Sequence, residues 1–141
     1  NENVMYGFSF NSEREVNILI DKENKYIVCR IGLPKKIELE YPVPATQESF
    51  TKFTYSYDFK PNGQNNEGYS LNYVTFVYNN KKYVVYEEFY NKLNSTDVGL
   101  IEIDLATNTT YETKGINTTK VGSLEELRDE SPIQEGTERF R

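Results

Sequence analysis

Between Phe53 and Phe59 the aromatic residues Phe53, Tyr55, Tyr57 and Phe59 occupy every second position, and Thr54, Ser56 and Asp58 fill the gaps. Successive side chains of an extended strand point to opposite faces, whereas a helical repeat would scatter these four rings around an axis. Only a strand gives this stretch one aromatic face and one polar face. The same period recurs along the first 115 residues, bounded by Asn, Gly and Pro clusters, which is the pattern of an all-β chain and not of alternating strands and helices. Candidate strands are Tyr6–Phe10, Glu15–Ile20, Lys25–Ile31, Lys36–Tyr41, Phe50–Phe59, Tyr69–Tyr78, Lys82–Phe89, Val98–Leu105 and Thr109–Lys114. Their short connections, such as Asp21-Lys22-Glu23-Asn24 and Asn79-Asn80, carry residues that tolerate left-handed backbone and Asx turns, so sequential strands are expected to pair antiparallel.

Two connections are longer. Pro42-Val43-Pro44-Ala45 interrupts pairing, because proline lacks a donor and restrains the residue before it, and is expected to cross from one sheet or barrel edge to another. The loop from Pro61 to Gly68 is polar throughout and forms the most conspicuous tip. After Gly122 the pattern changes: Ser123-Leu124-Glu125-Glu126 matches a capping box, Leu124 and Leu127 share a face and Pro132 ends the run, which predicts a short helix. The expected fold is therefore an antiparallel β-sandwich or small β-barrel of about eight or nine strands with one short C-terminal helix. A chain of 141 residues fits one domain over 1–141, with 1–5 and 134–141 as flexible ends. Mean hydropathy is −0.71, but 12 Tyr and 8 Phe supply large buried area per residue, so the core is expected to be aromatic.

Composition narrows the chemistry. With no His, the Ser-His-Asp and Cys-His arrangements and histidine metal sites are all ruled out, and one Cys permits neither an internal disulfide nor a multi-cysteine metal site. Cys29 shares a strand face with Ile27 and Ile31 and reads as a small core residue, while Arg30, among apolar neighbours, needs a carboxylate, solvent or an aromatic face. A carboxylate pair would still permit glycosidase-like chemistry, but Glu87 and Glu88 are strand neighbours and point to opposite faces. Glu38 and Glu40 share a face in the manner of a solvated strand. Asp58, Asn62, Asn65, Asn66 and Glu67 crowd oxygens near one loop, yet their spacing does not match a calcium loop, and turn formation accounts for them. No cofactor, metal or catalytic constellation is expected, and the chain reads as a non-enzyme.

Sixteen Lys and Arg against 22 Asp and Glu give a net charge of −6, which argues against nucleic acid and anionic lipid. The longest apolar runs, Tyr26–Cys29 and Tyr83–Tyr86, are far short of the roughly 20 residues a membrane helix needs. The chain opens Asn1-Glu2-Asn3, as a mature product would after loss of a signal peptide or lipoprotein leader, so a lipid anchor on a precursor is compatible with it. The three Asn-x-Ser/Thr triplets, at Asn94, Asn108 and Asn117, read as incidental to an Asn- and Thr-rich chain.

The blocks Tyr26-Ile27-Val28-Cys29-Arg30-Ile31-Gly32, Ile37-Glu38-Leu39-Glu40-Tyr41-Pro42, Phe53-Thr54-Tyr55-Ser56-Tyr57, Asn66-Glu67-Gly68 and Leu71-Asn72-Tyr73 together resemble a group of small uncharacterised exported bacterial proteins. In that group a leader or lipoprotein cysteine precedes a compact β domain. The resemblance covers about residues 8 to 130 and implies a β fold and an exported location, periplasmic, lipoprotein-anchored or secreted. It brings no catalytic residues with it. Periplasmic lysozyme inhibitors are similar in size and β character, but their Ser-Gly-x-x-Tyr-like loop and cysteine pair are missing here.

The leading functional expectation is an exported protein that binds without catalysing, an inhibitor or immunity protein that captures a basic protein partner by electrostatic steering and occlusion. The residues expected to make that contact are Tyr57, Asp58, Asn62, Asn65, Asn66, Glu67 and Tyr69, at the polar tip and on the strands flanking it. For the two tyrosines the core reading stands ahead of the contact reading. The alternative is a small-ligand or glycan-binding module of the cell envelope, with tyrosine stacking and Asn or Asp hydrogen bonds.

Overall fold

The computed structural model describes residues 1–130 and 132–141, and the architecture is the sandwich of the two expected alternatives. In chain order the strands are β1 (Glu2–Ser9), β2 (Glu15–Asp21), β3 (Ile27–Leu33), β4 (Lys36–Tyr41), β5 (Thr54–Lys60), β6 (Tyr69–Tyr78), β7 (Lys81–Tyr90), β8 (Ser95–Asp104), β9 (Thr110–Lys114), β10 (Ile116–Gly122) and β11 (Gln134–Glu135). One sheet has the order β10-β1-β2-β3-β4, and the other β11-β5-β6-β7-β8-β9. β1–β4 and β5–β9 are meanders of antiparallel neighbours, β10 adds antiparallel to the edge of β1, and among the described residues only the two-residue β11 runs parallel to its partner β5. Left-handed residues sit where the turn composition requires them, at Asn24, Asn79, Asn80 and Asn108. The stretch around Pro42 and Pro44 does cross between sheets, followed by a 3₁₀ turn, Gln47–Lys52, that carries Phe50 into the core.

The sheets face each other across a filled, aromatic interior. Tyr6, Phe8, Val16, Ile18 and Ile27 of the smaller sheet pack against Tyr55, Val74, Phe76, Val85 and Leu100 of the larger. Tyr41, Phe76 and Tyr83 form a stack, with ring centroids 4.9 and 5.0 Å apart at interplanar angles of 10° and 11°. Each buried ring of this kind contributes about 1.5–3 kcal/mol relative to exposure. The phenol of Tyr6 crosses the interior and donates to the carbonyl of Tyr86 at 2.7 Å, which ties the smaller sheet to the middle of β7. Cys29 is fully buried and burial pushes its thiol up to about 12, so it stays a neutral core group. Arg30 finds two carboxylates, Glu2 at 2.6 Å and Glu40.

Two strands lie beyond the sequence reading. β10 has only Ile116 and Val121 as large apolar residues, and its place comes from the open edge of β1. β11 comes from the open edge of β5. The expected helix is a 3₁₀ turn, Leu124–Glu126, followed by a single α turn, α1 (Leu127–Glu130); the Ser123 hydroxyl accepts from the Glu125 amide at 3.1 Å, and Leu124 and Leu127 enter the core.

Candidate functional site

In the polar tip from Pro61 to Gly68, Asn62 and Glu67 cap the tip's own backbone and Asn66 ties it to the turn after β7. Asn62 Oδ1 accepts from the Gly68 amide at 3.3 Å, the Glu67 carboxylate accepts from the Asn65 amide at 3.1 Å, and left-handed Asn66 donates through Nδ2 to the Asn91 carbonyl at 3.1 Å. These are the bonds of a self-capped turn. The flanking residues separate. Tyr57 points inward, stacks on Tyr55 at 5.6 Å and lies under the Arg128 guanidinium, 4.4 Å from its ring centre. Asp58 and Tyr69 point outward, onto the exposed side of the larger sheet. The expected contact set is therefore divided among a turn, the interior and the outer face.

Inside that end of the sandwich, Arg128 is held between the rings of Tyr57 and Phe59 and donates to Asn72 Oδ1 at 2.8 Å, which also accepts from the Tyr55 phenol at 2.5 Å. Beside it a cleft of about 230 Å³ is lined by Ser70, Asn72, Glu87, Lys120, Ser123 and Glu125. Glu87 is engaged by its own chain, accepting from Ser123 Oγ at 3.0 Å, from the Leu124 amide at 2.8 Å and from Lys120. A buried carboxylate held by three donors of its own chain serves as a structural brace.

The outer face of the larger sheet is different. Strand alternation places Tyr69, Leu71 and Tyr73 of β6 beside Tyr90, Glu88 and Tyr86 of β7, with Asp97, Gly99 and Ile101 of β8 and Glu112 of β9 completing the surface. Glu88 and Asp97 are direct cross-strand neighbours on this face, and like charges in that position destabilise a sheet unless a cation lies over them. The Tyr73 phenol donates to Glu88 Oε2 at 2.6 Å and the Tyr86 phenol to Glu112 Oε2 at 2.6 Å. Tyr86 reaches β9 only because β8 carries Gly99 between them: a Cβ at that position would lie 2.3 Å from the Tyr86 hydroxyl. Two phenols thus orient two carboxylates and leave their remaining lone pairs turned toward one place.

That place holds an arginine. Residues 134–141 form a strap rooted in β11, where the Gly136 amide donates to the Tyr55 carbonyl at 2.8 Å, and then cross the outer face. Glu138 pairs with Lys82, Arg139 Nε lies 3.5 Å from Asp58, and Phe140 packs on Tyr73 with centroids 5.0 Å apart. Arg141 then enters the cradle. Its Nε donates to Glu88 Oε2 at 2.9 Å and its Nη2 to Glu88 Oε1 at 3.3 Å; Nη2 and Nη1 reach Glu112 at 2.9 and 3.4 Å. The Tyr86 ring lies 5.2 Å from the guanidinium carbon. Two bidentate carboxylates and one aromatic face match the planar fork of a guanidinium, a geometry that lysine cannot use.

The electrostatics agree with this arrangement. Burial alone would raise the Glu112 carboxyl, but hydrogen bonds from Arg141 and Tyr86 outweigh it and hold the group below its ordinary 4.5. Burial, reinforced by the hydrogen bond to the neighbouring carboxylate, pushes both the Tyr73 and Tyr86 phenols far up, so each stays a donor. For Arg141, burial works against the charge and the bonds to Glu112 and Glu88 prevail, raising it. Among the described residues no cluster of three or more His, Cys, Asp or Glu is set to hold a metal ion, and no helix is long and apolar enough to cross a membrane.

Of the cradle, the sequence reading reached only Asp58 and Tyr69, on its margin. The signals for the rest were a glycine inside a β-branched strand, Val98-Gly99-Leu100-Ile101, which marks close approach of another group, and an aromatic residue beside arginine in an otherwise polar segment, Phe140-Arg141. Comparison with models of known protein families, with curated proteins and with solved structures finds no match to this chain.

Proposed function

We propose that this chain is an exported, non-catalytic binding module that captures a basic protein partner, as an inhibitor or immunity protein does, through the outer face of its larger sheet. The observation that carries this reading is the seating of Arg141 between Glu88 and Glu112, which gives a surface cation a prepared place on a protein of net charge −6. Three further features support it. Among the described residues the space between the sheets is filled by aromatic and aliphatic side chains. The inner carboxylate, Glu87, is braced by three donors of its own chain. The outer face offers rings with polar tips, Tyr69 and Tyr90, beside the acids, a combination suited to a protein interface. Export rests on the resemblance to exported bacterial β proteins.

The test is capture of basic proteins from envelope and secreted fractions on the immobilised chain, in parallel with a Glu88→Gln/Glu112→Gln variant of unchanged circular dichroism. Basic proteins retained at low salt, released at high salt and lost from the variant are the expected result. Equal retention by the variant, or retention of the chain only on a glycan array, would overturn it.

A further inference from the structure

We propose that the cradle of Glu88, Glu112, Tyr73 and Tyr86 is a receptor for an arginine side chain that follows an aromatic residue in an extended segment of a basic partner protein, and that Phe140-Arg141 of the strap is its built-in competitor. This deepens the binding function proposed above and rests on it. The strap shows the recognition pattern directly: an aromatic ring on Tyr73 at 5.0 Å and, at the next residue, a guanidinium in four-way contact with two carboxylates. The cradle is assembled from β6, β7 and β9 by strand register and by the clearance at Gly99, so its carboxylates are oriented by the sheet and not by the strap.

Two features make the strap displaceable: beyond Gly136 it is anchored to the sheet by side chains, and Arg141 keeps about a third of its side chain in solvent. A tethered arginine acts at an effective concentration of order millimolar, so the closed strap sets a threshold that weak cations do not pass and a multiply contacting partner does.

The experiment uses the full chain and a Phe140→Ser/Arg141→Ser variant, which empties the cradle and leaves β11 in place. N-acetyl-Phe-Arg-amide is titrated into each, with the Tyr73 and Tyr86 resonances followed by NMR, alongside N-acetyl-Phe-citrulline-amide and N-acetyl-Phe-Lys-amide. The expected result is that the variant binds the arginine peptide about tenfold more tightly than the full chain, shifts both tyrosines, and loses at least about tenfold for citrulline and for lysine. Adding Glu112→Gln to the variant should abolish the gain. Equal affinity of variant and full chain, equal affinity for lysine and arginine, or shifts confined to other residues would each overturn the arginine receptor. In any of those cases, continued capture of basic proteins that is sensitive to Glu88 and Glu112 leaves the broader binding function standing, and loss of that capture removes both.

Discussion

Glu87 and Glu88 are adjacent on β7 and almost equally buried, at 5% and 3% exposure, yet they belong to two unlike regions. Glu87 faces the interior, and all its donors, Lys120, Ser123 and the Leu124 amide, come from β10 and the turn that follows it. Glu88 faces outward, and its cation arrives on the strap. The first carboxylate is part of how the two sheets are joined. The second is held in readiness by a phenol and charged against a group that is able to leave. Burial alone therefore does not separate a brace from a receptor; the origin and replaceability of the counter-charge do.

The sharpest way to break the comparison is to remove each carboxylate in turn. Glu87→Ala leaves Lys120 and the Leu124 amide facing an empty site and should lower unfolding free energy by about 3–5 kcal/mol, measured by urea denaturation. A loss below about 1 kcal/mol would make Glu87 as dispensable as a surface acid. Next in size is Gly99→Ala, whose methyl forces the Tyr86 phenol off Glu112 and should cost about 1–3 kcal/mol, with loss of the Tyr86 hydroxyl proton signal characteristic of that bond. Thermal denaturation at wild-type temperature with the bond intact would disprove the clearance argument.

A double-mutant cycle sharpens the contrast further. Glu88→Ala and Arg141→Ala should couple by about 1–2 kcal/mol, while Glu87→Ala and Arg141→Ala, on opposite faces, should add within about 0.5 kcal/mol. Coupling of the second pair at the level of the first would show that strap and interior act as one unit. The smallest effect is on pH. Glu112 is depressed in the folded state, so its contribution is complete above its ordinary 4.5 and disappears as the pH falls through its lower folded value. The Phe140 ring resonances should therefore lose their ring-current shift from Tyr73 on acidification below about 4.5, before the β-sheet amides lose protection. Simultaneous release of both would place strap opening within global unfolding.

What the sequence made legible follows from the period of two. The aromatic face of Phe53, Tyr55 and Tyr57, the opposition of Glu87 and Glu88, the core position of Cys29 and the crossing at Pro42 to Pro44 all depend only on local alternation or on proline chemistry. The cradle depends on register. Tyr57 shares a face with Tyr55, and Tyr69 with Tyr73, but which face of β6 continues which face of β5 is set by the pairing of Lys60 with Tyr69 across the tip, and that pairing puts the two tyrosines on opposite sides. Both faces of β6 are aromatic or apolar near its centre, so composition gave no means of choosing. Residues 134–141 read as a polar end because Phe140 is isolated there; its partner, Tyr73, is far away in sequence and is brought near only by the folded sheet.

The two-residue pairing of β11 with β5 has a consequence for self-association. An open sheet ends in a row of unpaired amides and carbonyls that templates another chain, and β5, with Tyr55, Tyr57 and Phe59, would be an adhesive edge if left bare. Gln134 and Glu135 cover its beginning, and they lie upstream of Gly136, so Arg141 is free to leave the cradle while the edge stays capped. Opening for a partner and exposure of a polymerising edge are thereby made separate events on a single short segment.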